Sequence, residues 1–184
     1  MSLKVASLNS GSNGNCYYVG NAQTGVLIDV GIAASEVEKR LEQLNVSVQS
    51  IKATCITHEH GDHIHGLPAF AKRYNLPVYL SKGTYEQSEV NLSKLNIQLI
   101  KPYQCIEIGN LKIVAFPKQH DAAEALSFYV EQNDVRVAVI TDIGVACSHV
   151  QDVFANVHAC ILESNYDEEM LENGRYPFAL KKKN

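Results

Sequence analysis

The sequence has no apolar run close to the roughly 18 residues that a membrane helix needs. Its opening Met1-Ser2-Leu3-Lys4 leads into a strand-like stretch rather than a signal peptide. A cytoplasmic protein is expected. There is no long run of one charge, no internal repeat and no low-complexity linker, which sets aside repeat arrays. The cysteines, Cys16, Cys55, Cys105, Cys147 and Cys160, are odd in number and show no Cys-x-x-Cys spacing. They read as small buried residues of a reducing compartment. Basic charge is not in excess either: a formal net charge of −4 argues against a broadly basic nucleic-acid surface. What is present is 184 residues with 46% hydrophobic content, enough for one globular domain with a real core over residues 1–184.

Hydrophobic patterning predicts short strands over residues 3–8, 16–19, 26–29, 51–57, 78–80, 97–100, 105–108, 111–116, 126–131, 135–141 and 159–163. Asn21 to Gly25, Gly109-Asn110 and Asn133-Asp134 supply turns between neighbouring strands. Ser35 and Glu38 form a capping-box start, and Val37, Leu41 and Leu44 recur at helical spacing, so residues 35–44 are expected to be an amphipathic helix. A second helix is expected over residues 66–74, with Pro68 tolerated in its first turn. Further helices are expected around 84–95, 148–156 and 167–173. Many strands with interspersed helices suit a layered α/β domain.

The chemistry concentrates in Thr57-His58-Glu59-His60-Gly61-Asp62-His63-Ile64-His65-Gly66, which carries four of the seven histidines. This density marks a metal site. If His58 and His60 continue the preceding strand, they point the same way and can offer imidazoles to one ion. A turn at Gly61 lets Asp62 and His63 swing toward a neighbouring ion. Imidazole suits zinc, iron, nickel or copper, a carboxylate extends the range to manganese, and affinity order does not choose among them. His65 reads as supporting a ligand or facing substrate rather than ligating. Asp142 ends the apolar run 137–141, where a carboxylate needs a partner or a metal. His149 and His158 read as ordinary helix or strand-flanking residues.

The pattern His-x-His-x-Asp-His followed by Gly66 resembles the signature of the metallo-β-lactamase fold superfamily. Ser10-Gly11-Ser12-Asn13-Gly14-Asn15, Leu27-Ile28-Asp29-Val30-Gly31, the isolated His120, Thr141-Asp142-Ile143-Gly144 and Leu162-Glu163-Ser164-Asn165-Tyr166-Asp167 follow in matching order. Together they look most like the YycJ/WalJ-type branch, whose members are regarded as nucleases or phosphodiesterases. The stretch from His60 to Pro68 also looks like the corresponding motif of tRNA 3′-processing endonucleases.

The resemblance implies an αββα sandwich with metals at the sheet edge, and two divalent ions, zinc foremost with manganese or iron as alternatives. One ion would be held by His58, His60, His120 and Asp142, and the other by Asp62, His63 and a bridging Asp142. It implies metal-assisted hydrolysis of a nucleic acid or other phosphodiester. Asp62 would orient the attacking water, and His65 would lie near the leaving group. Ser12, Asn13 and Asn15, in the Gly-rich loop, could face a phosphate with backbone N–H groups or simply form a tight turn. Asn165, with Tyr166 and Asp167, is a candidate for the substrate groove. No histidine follows His158, whereas the family supplies another beyond this point, so the sandwich is expected to be C-terminally incomplete. An exposed sheet could then be covered by a homo-oligomer. The competing readings are a small ester, thioester or lactone hydrolase on the same site, and a catalytically impaired metal-binding domain.

Overall fold

Strand-forming residues gather into two sheets. The structure, a computed structural model, describes residues 2–163. Strands β1 (Lys4–Asn9), β2 (Cys16–Gly20), β3 (Gly25–Ile28), β4 (Ile51–Cys55), β5 (Pro77–Leu80) and β6 (Asn96–Leu99) lie in that order in the first sheet. Strands β7 (Cys105–Ile108), β8 (Leu111–Pro117), β9 (Leu126–Gln132), β10 (Val135–Ile140) and β11 (Ala159–Leu162) form the second, ordered β11-β10-β9-β8-β7. The helices are α1 (Ala34–Gln43), α2 (Gly61–Ile64), α3 (Leu67–Tyr74), α4 (Lys82–Gln87) and α5 (Ser148–Phe154), with a 3₁₀ turn at Val48–Ser50.

Alternation along the strands divides the apolar residues between two faces. Tyr17, Val19, Val26 and Ile28 of the first sheet meet Ile113, Phe128, Val130 and Val139 of the second in the central core. On the outer face of the first sheet, Tyr18, Leu27 and Leu80 pack under Val37 and Leu41 of α1 and Phe70 of α3. Phe116, Ala138 and Ile140 on the outer face of the second sheet receive Val150 of α5. The order of layers is therefore helix, sheet, sheet, helix, the expected αββα sandwich.

All eleven expected strands form, with ends shifted by a residue or two. The Asn133-Asp134 turn between β9 and β10 has both residues at positive φ, 48° and 64°, as a two-residue hairpin of the primed type requires. Two helical expectations are corrected. The expected helix over 84–95 is only α4, because Ser81 caps its start by accepting from the Thr84 N–H and the chain turns extended at Ser88. The capping box at Ser35 does not form: the helix begins after Ala33 without a side-chain cap. Glu38 is drawn instead to α3, where its Oε1 accepts from the Tyr74 hydroxyl at 2.8 Å and from Arg73 Nη1 at 2.5 Å. The helix expected at 167–173 and the incomplete C-terminal part lie outside the described residues.

Candidate metal centre

Four strands stop at one end of the sandwich and hand their following residues to a common point. β3 leads to Asp29, β4 to His58, β8 to His120 and β10 to Asp142. The histidine motif itself is loop and helix rather than strand: β4 ends at Cys55, and His60 is the N-cap of α2. The expected turn at Gly61 is thus the start of a four-residue helix. Backbone hydrogen bonds lace this segment to residues 29–31 and to Asn15. The Val30 N–H donates to the His63 carbonyl at 2.9 Å, the Gly66 N–H to Val30 at 2.9 Å and the Asn15 N–H to Asp62 at 2.6 Å. Gly31 is a requirement of that contact, since a Cβ there would fall 1.7 Å from the Asp62 carbonyl oxygen.

Two donor sets result. Ligating atoms of His58, His60 and His120 lie within 4.8 Å of one another, and so do those of His58, His63 and Asp142. His120 Nε2 is 3.3 Å from His60 Nδ1. Asp62 Oδ2 comes within 3.5 Å of His63 Nε2. The structure thus places five of the six residues expected as ligands, His58, His60, His63, His120 and Asp142, in the two donor sets, with His58 rather than Asp62 beside His63 and Asp142; Asp62 lies next to His63 but in neither set.

Hydrogen bonds behind the cluster decide which lone pairs face inward. Asp29 is completely buried. Its Oδ1 accepts from the Thr57 N–H and its Oδ2 from the Thr57 hydroxyl, both at 2.8 Å, and Oδ2 also lies 2.8 Å from His63 Nδ1. With the Thr57 proton committed to Asp29, its oxygen is left to accept from His58 Nδ1 at 2.8 Å. Both imidazoles therefore spend Nδ1–H on the protein and turn Nε2 to the centre. His58 Nε2 is buried without a partner among the described residues, and Asp142 Oδ2 receives no well-directed hydrogen bond although His63 Nε2 is 2.8 Å away. Orphaned acceptors at such a site fit a cation.

Electrostatics follow this division. Burial, with the Lys118 charge nearby, holds His58 neutral, and the same two causes lower His120. Burial also opposes the His63 imidazolium, but Asp29 and Asp142 outweigh it and raise its pKa to about 10. Asp142 goes the other way: against the burial penalty, its contact with His63 and the charge of Lys118 keep it ionised. Glu163, whose Oε2 accepts from the Asp142 N–H at 2.7 Å, is raised by burial.

The remaining expected residues are placed differently. Asn15 is buried below the centre, not turned outward: its Nδ2 is 2.9 Å from His63 Nε2 and 3.2 Å from Asp62 Oδ2, and its Oδ1 accepts from the Tyr17 hydroxyl. Ser12 and Asn13 are exposed at the tip of the Gly-rich loop. His65 is exposed at the end of α2, outside both donor sets. Asn165 lies outside the described residues. His149 and His158 stand apart, His149 against Tyr103 and His158 accepting from the Arg136 N–H. Sequence reasoning missed the roles of Asp29, Thr57 and Lys118. Asp29 had the same signal as Asp142, an aspartate ending an apolar strand, and both take positive φ, 60° and 50°.

A family profile described as a beta-lactamase superfamily domain matches residues 24–179. The chain belongs to the beta-lactamase superfamily. Exodeoxyribonuclease YycJ of Bacillus anthracis, a relative within it, is 32% identical over 186 residues, spanning 100% of this chain and 70% of its own length. Two solved structures share the superfamily fold. The Rm3 metallo-β-lactamase aligns with a TM-score of 0.61 at 17% identity, covering 83% of this chain and 67% of its own. Zinc-bound PqqB from Methylobacterium extorquens reaches 0.71 at 15% identity, covering 89% and 64%. At these identities the structural likeness establishes the metallo-β-lactamase fold alone.

Proposed function

We propose that this superfamily hydrolase is a two-metal phosphodiesterase of the nuclease kind, acting on DNA or RNA in the cytoplasm. The observation that carries the reading is the pair of donor sets sharing His58, in a chain 32% identical to an exodeoxyribonuclease over its whole length. His58, His60 and His120 would hold one divalent ion and Asp62 and His63 the second, with Asp142 between them. Zinc suits the imidazole-rich set, and manganese or iron is compatible with the carboxylates. Bound there, such ions supply Lewis acidity toward phosphoryl oxygens and make water nucleophilic near neutral pH. Asp62, one-third exposed on the first turn of α2, would orient the attacking water by accepting its hydrogen bond. His65, on the solvent side, would lie near the leaving group. Ser12 and Asn13 reach toward the substrate backbone from the loop tip, whereas Asn15 steadies Asp62 and His63. All five cysteines are free thiols, in keeping with a reducing compartment.

The test incubates metal-loaded protein with a 5′-phosphorylated DNA duplex, a bis-aryl phosphodiester and a thioester. Cleavage of the first two supports the proposal. Turnover of the thioester alone moves the chain to the ester and thioester hydrolases. Inactivity on all three with metal bound favours a metal-binding domain without catalysis.

A further inference from the structure

A buried cation beside the ligands is used by neither the motif nor the reaction above. Lys118 is 6% exposed and sits between β8 and His120. Its Nζ donates to the Thr141 carbonyl at 2.7 Å. Thr141 immediately precedes Asp142, whose left-handed φ of 50° is one that L-residues with a Cβ rarely adopt and that must be held by its surroundings. The same two segments meet again just beyond: Gln119 and Val145 form an isolated bridge, and the Gly144 N–H donates to the Gln119 carbonyl at 2.9 Å. From the other side, Glu163 takes the Asp142 N–H. Lys118 lies in the field of Asp142, Asp29 and Glu163, and its charge also reaches His58 and His120.

We propose that Lys118 is a positioning residue of the metal centre: by gripping the Thr141 carbonyl it sets how Asp142 approaches His58 and His63, and it ties the His120 segment to the Asp142 segment. A competing effect has the opposite sign, because a fixed positive charge near two cations repels them. Geometry favours positioning. The ammonium is aimed at the carbonyl that immediately precedes Asp142, so its contact is with the backbone that carries that carboxylate. The inference rests on the metal-centre reading but not on the substrate.

The experiment compares the full chain with Lys118→Met, which keeps length without a donor, and Lys118→Gln, which keeps a donor without charge. Zinc affinity is read by competition with a chromophoric chelator, the geometry by the visible spectrum of the cobalt-substituted protein, and packing by thermal unfolding in chelator. Positioning predicts that Lys118→Met holds the weaker ion about 10–100-fold less tightly, the range seen when partners of metal ligands are lost, with an altered cobalt spectrum. Lys118→Gln should retain more of the affinity than Lys118→Met. Equal or tighter zinc binding by Lys118→Met overturns the proposal, as does a loss of thermal stability with zinc affinity and cobalt spectrum unchanged. Should Lys118→Met fail to fold, Lys118→Gln decides: a several-fold weakening with a shifted spectrum supports positioning, and parent-like values overturn it. A parent chain that binds no ion overturns both this and the metal-centre reading.

Discussion

Single side chains at this centre do work that their neighbours make possible. Asp29 belongs to neither donor set, yet it fixes the Thr57 hydroxyl and through it the tautomer of His58, and it holds Nδ1 of His63. Asp29→Asn keeps the shape but removes the charge that orients two imidazoles. It should weaken metal binding about 10–100-fold, as measured by chelator competition, although it alters no ligand. His58→Ala should do more, because His58 belongs to both donor sets. Metal content after dialysis should fall at both positions, whereas His60→Ala should empty only the one shared with His120. Unchanged stoichiometry in His58→Ala would remove the basis for both assignments. Burial makes a separate prediction for the thiols. It pushes Cys16 and Cys55 far above the ordinary thiol pKa of about 8.5, while Cys105 is exposed. Even near about pH 9, iodoacetamide should modify Cys105 in the folded protein and leave Cys16 and Cys55 intact until denaturant is added, as peptide mass mapping will show.

Elements place the centre by contacts that leave no room for adjustment. Gly31 separates the β3 end from α2, and its backbone faces the Asp62 carbonyl where a Cβ would stand 1.7 Å away. Gly31→Ala must therefore push α2, with Asp62 and His63, off the segment that holds it. Overpacking of this kind costs about 1–3 kcal/mol or more, and here the displacement also falls on two of the proposed ligands. Both the urea midpoint and the zinc affinity should drop, and a variant with parent-like values in both would show that α2 is not seated by this glycine. At the opposite end of the sandwich, Asn133→Val puts a β-branched residue at φ 48° in the β9–β10 turn. It should cost about 1–2 kcal/mol of stability and leave zinc binding untouched. The comparison separates elements that build the centre from those that merely build the sheet.

For the whole molecule, much of this organisation is legible in the sequence, and the exceptions have physical reasons. Strands are written by alternation and turn residues, so all eleven appear, and the histidine pattern marks the centre because metal chemistry demands a density of donors that packing does not. Asp29 shares the strand-end signal of Asp142, but nothing local shows that its partner is a histidine thirty-four residues later, His63. Lys118 escapes because a lysine in a strand-to-loop segment ordinarily faces water. Glu38 misleads because a capping box is a local signal, and a tertiary partner on α3 outcompetes it.

The same long-range construction would make a bound ion part of the fold. His58 and His63 follow the first sheet, and His120 and Asp142 follow the second, so an ion held between them joins sheet to sheet across the open end of the sandwich. Binding to the folded state alone stabilises it by about 2.7 kcal/mol when free metal is a hundredfold above Kd. For a domain of this size that is about 5–10 °C in Tm. Excess chelator should lower Tm by this order in a calorimetric scan, and re-added zinc should restore it. Because Asp142 lies against both histidines of its donor set, Asp142→Asn should lose a large part of the zinc-dependent increment. If the zinc-loaded parent and the chelated parent melt together while metal analysis confirms that the ion was bound, the centre does not bridge the sheets in the way the four strand ends imply.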